Sequence, residues 1–412
     1  MGLLQRIFGR EAPAAEQRFY VDPYWANWFA LNGSPGSVPA SPDIVLSNLS
    51  VAARCVALRS ELLASVPLHL YRRTPSGGRE RADDNPLYRV LHDSPNSNQS
   101  AYEFRELMVR SLDYWGNAYA RIIWNARGAV TGLVAILYGD CTVDQLPNGR
   151  LRYRVFNQQS RRTETLLAEE VLHIRGPTRD GIIGWSPIMI ARASLGLAVA
   201  QATTAQSLSE NGLRPSGLLS YPQMLSPDQR QSLHGLAKDE HAGARNAGKL
   251  MIVDGGGKFE KMSFSPEDSQ FLEQRRLSNE DVARVFGVPP TSVGILDKGT
   301  YSNTEQESYS LVQNCIGPLA ARIETAMQRC LLTDVGRRNL YIEHDLDGLL
   351  RGDVKSRYDA YRVGRESGIL SVNDVRRAEN EPPIGAEGDL HHMPANWIQL
   401  GPGSVVQPNN PT

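Results

Sequence analysis

The chain has 412 residues, with 44 lysines and arginines against 45 aspartates and glutamates and a formal net charge of −1. That length exceeds one compact core and implies two or three structural units, and the balanced charge argues against a protein that holds nucleic acid by bulk attraction. Cys55, Cys141, Cys315 and Cys330 show no CxxC or paired-histidine spacing, and no apolar run reaches membrane-spanning length, so a zinc ribbon, a disulfide framework and a helical membrane protein are all disfavoured. The opening MGLLQRIFGR lacks the apolar core and cleavage site of a secretory leader, and the chain reads as soluble and cytoplasmic when made.

Helical spacing of apolar residues predicts a first helix from Ser47 to Ala64, closed by Pro67, after which LHLYRR reads as a strand. SAYEFRELMVRSLDYW predicts a helix opened by a Ser100–Glu103 capping box and stopped at Gly116. AYARIIWN, GLVAILY and RLRYRVFN read as strands, LPNGR as the hairpin turn between the last two, and EEVLHIRG as a further strand. Ser186, Pro187 and Gly212 bound a predicted long helix rich in Ala, Ser, Thr and Gly, thin enough to pack closely on another backbone. A small α/β insert follows: GLLSYP, a helix capped at Ser226, and paired strands GKLMIVDGGG and KFEKMSF. A third helix opens at Ser265-Pro266 and runs to Phe286, with Arg276, Glu280 and Arg284 as a charged ladder at four-residue spacing.

Pro289-Pro290 is expected to halt that helix, and a polar loop then leads to a second capping box at Ser302–Glu305. Val312, Cys315, Ile316, Leu319, Ala320, Ile323, Met327, Cys330 and Leu331 mark one face of a long helix, with a kink expected at Gly317-Pro318. NLYIEHDLDGLL reads as strand and turn, 353–367 and 371–380 as helices, the second with a Ser371–Asp374 capping box, and the tail as disordered.

Signals for catalysis are weak. Gly255-Gly256-Gly257-Lys258 lacks the outer glycine, spacer and Ser/Thr of a phosphate loop and sits between predicted strands. His391-His392 beside Asp389 do not converge as metal ligands, and Asp353 of Arg351-Gly352-Asp353 fits a helix cap better than an adhesion motif. No GxSxG, Cys–His or HExxH signature occurs. No catalytic residue, cofactor or metal is expected.

A series of blocks then stands out in order: PLYRVLHDSPNSNQSAYEFRELM, GNAYARIIWN, EEVLHIRG, GIIGWSPIMIARASLGLA, ENGLRPSGLL, VARVFGVPPTSVG, TYSNTEQES, IGPLAARIETAMQRCLL and NDVRRAENEPPIGAEGD. Over some 340 residues, from about Val51 to Pro394, the chain resembles the portal proteins of tailed bacteriophages. The resemblance implies an α+β, multi-region fold assembling into a ring, a dodecamer, around a channel for double-stranded DNA. It implies an N-terminal arm (1–45), an α+β wing (46–185), stem helices (186–212 and 265–288) and a clip (213–264). It further implies a tunnel loop (289–301), a kinked wing helix and strand (302–346), a helical crown (347–396) and a disordered tail (397–412).

On that mapping, Thr291, Ser292, Asp297, Lys298, Gly299, Thr300 and Tyr301 of the loop, with Arg276, Glu280 and Arg284 of the stem, face the channel. Lys298 is the expected weak backbone contact. A conduit needs few and labile phosphate contacts, because each one that releases a counterion adds affinity and opposes sliding. Lys238, Asp239, Arg245, Lys249 and Lys258 of the clip are expected to dock the motor and adaptor. Implied partners are the terminase large subunit, a head–tail adaptor and the major capsid protein, with no membrane. The implied location is the capsid portal vertex of the virion, and the host cytoplasm during assembly. Two other readings compete: a capsid scaffold that never touches DNA, and a nucleic-acid-processing enzyme, which would need a metal-binding carboxylate cluster.

Overall fold

The computed structural model describes residues 41–75, 77–211, 217–220, 226, 258–261, 266–295, 302–350, 354–379 and 381–392. Two compact units divide between Leu346 and Asp347. The first opens with α1 (Pro42–Asn48), capped by the Ser41 hydroxyl, and α2 (Ser50–Ser65). The periodicity had merged the end of α1 into α2; the chain turns at Leu49, whose extended backbone separates them. Next come β1 (Leu68–Arg73), β2 (Arg79–Arg81), α3 (Pro86–His92) and α4 (Ala101–Trp115). In α4 both halves of the expected capping box form: Glu103 N–H donates to Ser100 Oγ at 3.3 Å, and Ser100 N–H to Glu103 Oε2 at 2.8 Å. Helices α2 and α4 pack together. Buried Arg105 of α4 donates to Ala64 O at 2.8 Å and Leu91 O at 3.2 Å, closing the carbonyl ends of α2 and α3. Burial lowers its pKa to about 10.

Two three-stranded antiparallel sheets follow. In the first, β3 (Asn117–Trp124) is central between β4 (Val130–Ile136) and a strand that arrives later, β8 (Val171–Arg175). The second is a meander of β5 (Cys141–Gln145), β6 (Leu151–Asn157) and β7 (Arg162–Leu167). The turn at LPNGR joins β5 to β6, with Gly149 N–H donating to Leu146 O at 2.8 Å, rather than joining GLVAILY to β6 as the sequence reading had it. The reason is that CTVDQ hides a strand: Val143 and Asp144 are buried while its other positions are polar, small or part-exposed. Tyr119, Ile136, Val143, Tyr153, Leu166, Val171, Ile182 and Ile183 form one core between the two sheets.

The long helix expected at 187–212 forms as α5 (Pro187–Ile190) and α6 (Arg192–Asn211), interrupted at Ala191, where ψ is 22°. The Ser186 hydroxyl caps α5, accepting from Met189 N–H at 3.0 Å. After β9 (Gly217–Ser220) and β10 (Lys258–Lys261), which pair antiparallel, α7 (Pro266–Val285) packs against α6. The strand pair is therefore GLLS with KFEK; GKLMIVDGGG and the helix after Ser226 lie outside the described residues.

Helix α8 (Ser302–Leu311) passes through a π turn at Val312–Ile316 into α9 (Gly317–Leu331). Eight of the nine residues assigned to the apolar face are buried, and Cys330 is half-buried. At the expected kink, Gly317 N–H donates to Val312 O, five residues back, and Pro318 brings no N–H at all. The ladder absorbs the missing donor by taking in one extra residue. The short α10 (Gly336–Asn339) leads to β11 (Leu340–His344), which pairs antiparallel with β1 in a β11-β1-β2 sheet.

His69 of β1 is 3 % exposed, stacked on His92 at 5.0 Å and hydrogen-bonded to Tyr88 Oη at 3.1 Å. Burial, then the charges of Arg81 and His92, lower its pKa from 6.5 to about 4. A folded-state value below the unfolded one means that stability is intact above pH 6.5 and is lost as pH falls toward 4. The denaturation midpoint of the wild type should therefore fall across that window, and His69→Gln should flatten the fall. An equal slope in both proteins would rule His69 out as its source.

The second unit holds α11 (Asp347–Leu350), α12 (Val354–Glu366) and α13 (Val372–Ala378). The Ser371–Asp374 capping box is formed as read. Glu379 clamps α12 through Arg357 Nε at 2.7 Å and Tyr361 Oη at 2.9 Å. Asn373 holds the closing turn through Gly385 O, Asp389 Oδ1 and Ile384 N–H.

Candidate nucleic-acid interface

Arg276, Glu280 and Arg284 lie on α7, which ends where the sequence reading put it, at Phe286-Gly287. Its regular part ends at Val285, and Gly287 then takes the left-handed conformation at φ +68°. Gly287 N–H donates to Arg284 O at 3.0 Å and Val288 N–H to Ala283 O at 3.1 Å, while Val288 is buried. This is a Schellman stop, which satisfies the terminal carbonyls before any proline is reached. Pro289-Pro290 has a second role: it prevents the helix from resuming and sets the 3₁₀ turn Pro290–Val293, closed by Gly294 at φ +83°.

A carbonyl at this helix end has a long-range partner. Arg59 of α2 donates Nη1 to Phe286 O at 2.5 Å and to Cys315 Sγ of the π turn at 3.1 Å. The same guanidinium grips Asp113 of α4 with two bonds, Nε to Oδ2 at 2.9 Å and Nη2 to Oδ1 at 3.0 Å. Burial pushes the Asp113 carboxyl up and Arg59 pulls against that shift. Burial opposes the Arg59 charge too, but Asp113 outweighs it and holds the guanidinium above its ordinary value. One side chain thus ties α2, α4, the end of α7 and the π turn into one rigid base.

On that base, half-buried Thr291 donates its hydroxyl to Glu307 of α8, pinning the 3₁₀ turn to the returning helix. Ser292 is half-buried in the same turn. Asp297, Lys298, Gly299, Thr300 and Tyr301 lie outside the described residues, as do the side chains of Ser302 and Glu305. The charged ladder is only half as expected. Arg276 Nε stands 3.6 Å from Glu280 Oε1, but Arg284 pairs with Asp281, three residues back, instead of Glu280. Both arginines face solvent beside acids of their own helix, and exposed pairs of this kind are worth about 0–1 kcal/mol and exchange partners readily.

Of the expected docking residues, Lys238, Asp239, Arg245 and Lys249 lie outside the described residues. Lys258 falls in β10 opposite Ser220, within a strand and not at the mouth of a helix, so a phosphate loop there is disfavoured. Asp389 is engaged by Asn373 and Arg377, and His391 stands 3.8 Å from Asp374. Among the described residues no group of three His, Cys, Asp or Glu side chains is placed to hold a metal. Burial pushes the Cys55 and Cys141 thiols up to about 12, which keeps them protonated and unreactive. No helix among the described residues is long and apolar enough to cross a membrane.

The sequence reading missed Arg59, Asp113 and Cys315 as the supports of this loop. Arg59 lies 54 residues from Asp113, 227 from Phe286 and 256 from Cys315, which leaves no local pattern to detect.

Comparison with known proteins decides the family, because the phage portal protein family model matches residues 50–380. The chain belongs to that family. It is 33 % identical over 374 residues to the portal protein of Enterobacteria phage HK97, covering 89 % of this chain and 87 % of that relative. Two solved structures are similar. The neck of an empty gene transfer agent particle, computed with C6 symmetry, matches with a TM-score of 0.59 and 26 % identity over 81 % of this chain and 90 % of that one. The neck of the native particle, computed with C12 symmetry, matches at 0.56 and 25 % over 87 % and 98 %. The fold is accordingly the mixed α+β portal fold.

Proposed function

We propose that the chain is the ring-forming portal of a tailed phage or related particle, a non-catalytic conduit for double-stranded DNA at one capsid vertex. The observation that carries this reading is family membership across residues 50–380, joined to neck structures of C6 and C12 symmetry among its structural neighbours. A ring of twelve copies with head-to-tail contacts closes on itself and leaves an axial opening. On this reading α5–α6 and α7 are the stem, the insert between them is the clip, the first unit's sheets and α8–α9 are the wing, and the second unit is the crown.

On the same reading residues 289–301 are the tunnel loop, and its first turn, Pro290–Val293, is carried on the Arg59 base. Asp297, Lys298 and Tyr301 would meet DNA there, and Lys238, Asp239, Arg245, Lys249 and Lys258 would face the terminase large subunit and the head–tail adaptor. The major capsid protein would surround the wing, in the virion and earlier in the host cytoplasm. The pairing of Arg276 and Arg284 with acids of α7 supports a channel wall that holds phosphate weakly. Negative-stain imaging of the purified chain tests the reading: rings with an open centre are expected, and a strict monomer at high concentration would overturn it.

A further inference from the structure

A cleft of about 310 Å³ opens between the end of β8 and α9, lined by His173, Arg175, Thr178, Arg322, Thr325 and Arg329 among others. Positions 322, 325 and 329 fall on one face of α9, at i, i+3 and i+7. Three arginines thus line one space, and among the described residues no carboxylate lines it. Among the described residues their hydrogen bonds go to carbonyls: Arg322 Nη1 donates to Arg175 O at 3.0 Å, and Arg175 Nη1 to Gly181 O. Arg329 has no partner among the described residues. His173 adds no charge of its own: burial, with the charges of Arg175 and Arg329, lowers its pKa well below the ordinary value, and its two ring nitrogens are engaged by Tyr153 Oη at 3.2 Å and Asn117 Oδ1 at 3.0 Å.

Several other arginines of the first unit do sit against acids: Arg54 with Glu61, Arg72 with Asp84, Arg121 with Glu164, Arg150 with Glu169 and Arg337 with Asp334; what distinguishes the cleft is that three arginines line one space with none of these pairings. Burial and the Arg329 charge also lower the affinity of the half-buried Arg175 for its proton, the mark of a positive cluster lacking its anion. The volume is about ten times the ~30 Å³ share of one water, which is room for a tetrahedral oxyanion and its substituent. Guanidinium groups match such oxygens in bidentate fashion.

We propose that this cleft is an oxyanion site that takes a phosphate group between Arg175, Arg322 and Arg329. The inference does not rest on the DNA-channel reading. It is tested with the full chain and inorganic phosphate, titrated against chloride at constant ionic strength and followed by calorimetry and thermal unfolding. Saturable binding is expected. Arg322→Gln and Arg329→Gln should each weaken it about ten- to a hundredfold, the worth of one charge-assisted bond. Arg329 faces solvent without a described partner, so Arg329→Gln should keep the unliganded midpoint and report on binding alone.

A short DNA duplex added in competition separates the sources. Displacement of phosphate from the wild type assigns the group to a nucleic-acid backbone, and no displacement assigns it to free phosphate; the oxyanion site stands in both cases. No saturable response to phosphate, or an equal response in the Arg322→Gln/Arg329→Gln double variant, would overturn it.

Discussion

Gly116→Ala should destabilise the first unit by at least about 4 kcal/mol, in the range reserved for single substitutions that break a packed junction. Gly116 ends α4 in the left-handed conformation at φ +76°, where any side chain is strained. Space is the larger problem. A Cβ there would lie 2.4 Å from the Trp185 carbonyl carbon, 2.5 Å from Gly184 O and 2.5 Å from Ser186 N, all backbone atoms that cannot rotate aside. Gly116 O also accepts from Gly176 N–H at 2.7 Å, and neighbouring Asn117 accepts from Gly184 N–H at 2.8 Å. Three strands of backbone are therefore locked at one point, immediately before the Ser186 cap that launches α5 and α6. Ring formation should be lost with stability, because the long helix would start from a displaced origin. Gly128 is the internal control: its φ is +73°, yet nothing lies within 4 Å of its would-be Cβ. Gly128→Ala should cost only about 1 kcal/mol. Equal denaturant midpoints for the two variants would show that crowding at Gly116 is not what matters.

Most helices were legible in the sequence because their ends are written locally. Ser100–Glu103, Ser371–Asp374 and Ser186-Pro187 announce caps within four residues, and all three form as read. Strands β1, β3, β4, β6, β8 and β11 were legible from apolar runs. β5 and β7 were not, since each buries only one or two side chains and otherwise reads as polar loop. Pairing of β1 with β11 joins Leu68 to His344, and no spacing rule reaches across that distance. The same applies to the loop base. Arg59 looks like one more helical arginine until α4, Phe286 and Cys315 close around it. The end of α7 at Phe286-Gly287 was legible, but the means of stopping was credited to Pro289-Pro290, whereas the left-handed Gly287 already closes the helix.

Removing either partner of the Arg59–Asp113 pair should cost about 3–5 kcal/mol, because the other charge is left buried and unpaired. Asp113 has only 2 % of its side chain exposed and Arg59 13 %, so water cannot replace the lost partner. The exposed pair Arg54–Glu61, at 50 % and 44 %, supplies the reference and should yield no more than about 1 kcal/mol. A double-mutant cycle with Arg59→Met and Asp113→Leu separates the pair energy from repacking, and the double variant should recover much of the loss of either single change. It will not recover all of it. Arg59 also satisfies Phe286 O and holds Cys315 Sγ, and methionine does neither. That residual loss isolates the link from α2 to the end of α7 and the π turn. It should appear as faster amide exchange at Val288 and in the Pro290–Val293 turn in both Arg59 variants, single and double. With Asp113→Leu alone, Arg59 still reaches Phe286 O, so exchange there should stay closer to wild type. If all three variants loosen the turn equally, the Phe286 bond carries no share of its own, and the loop is held by Thr291 and Glu307 instead.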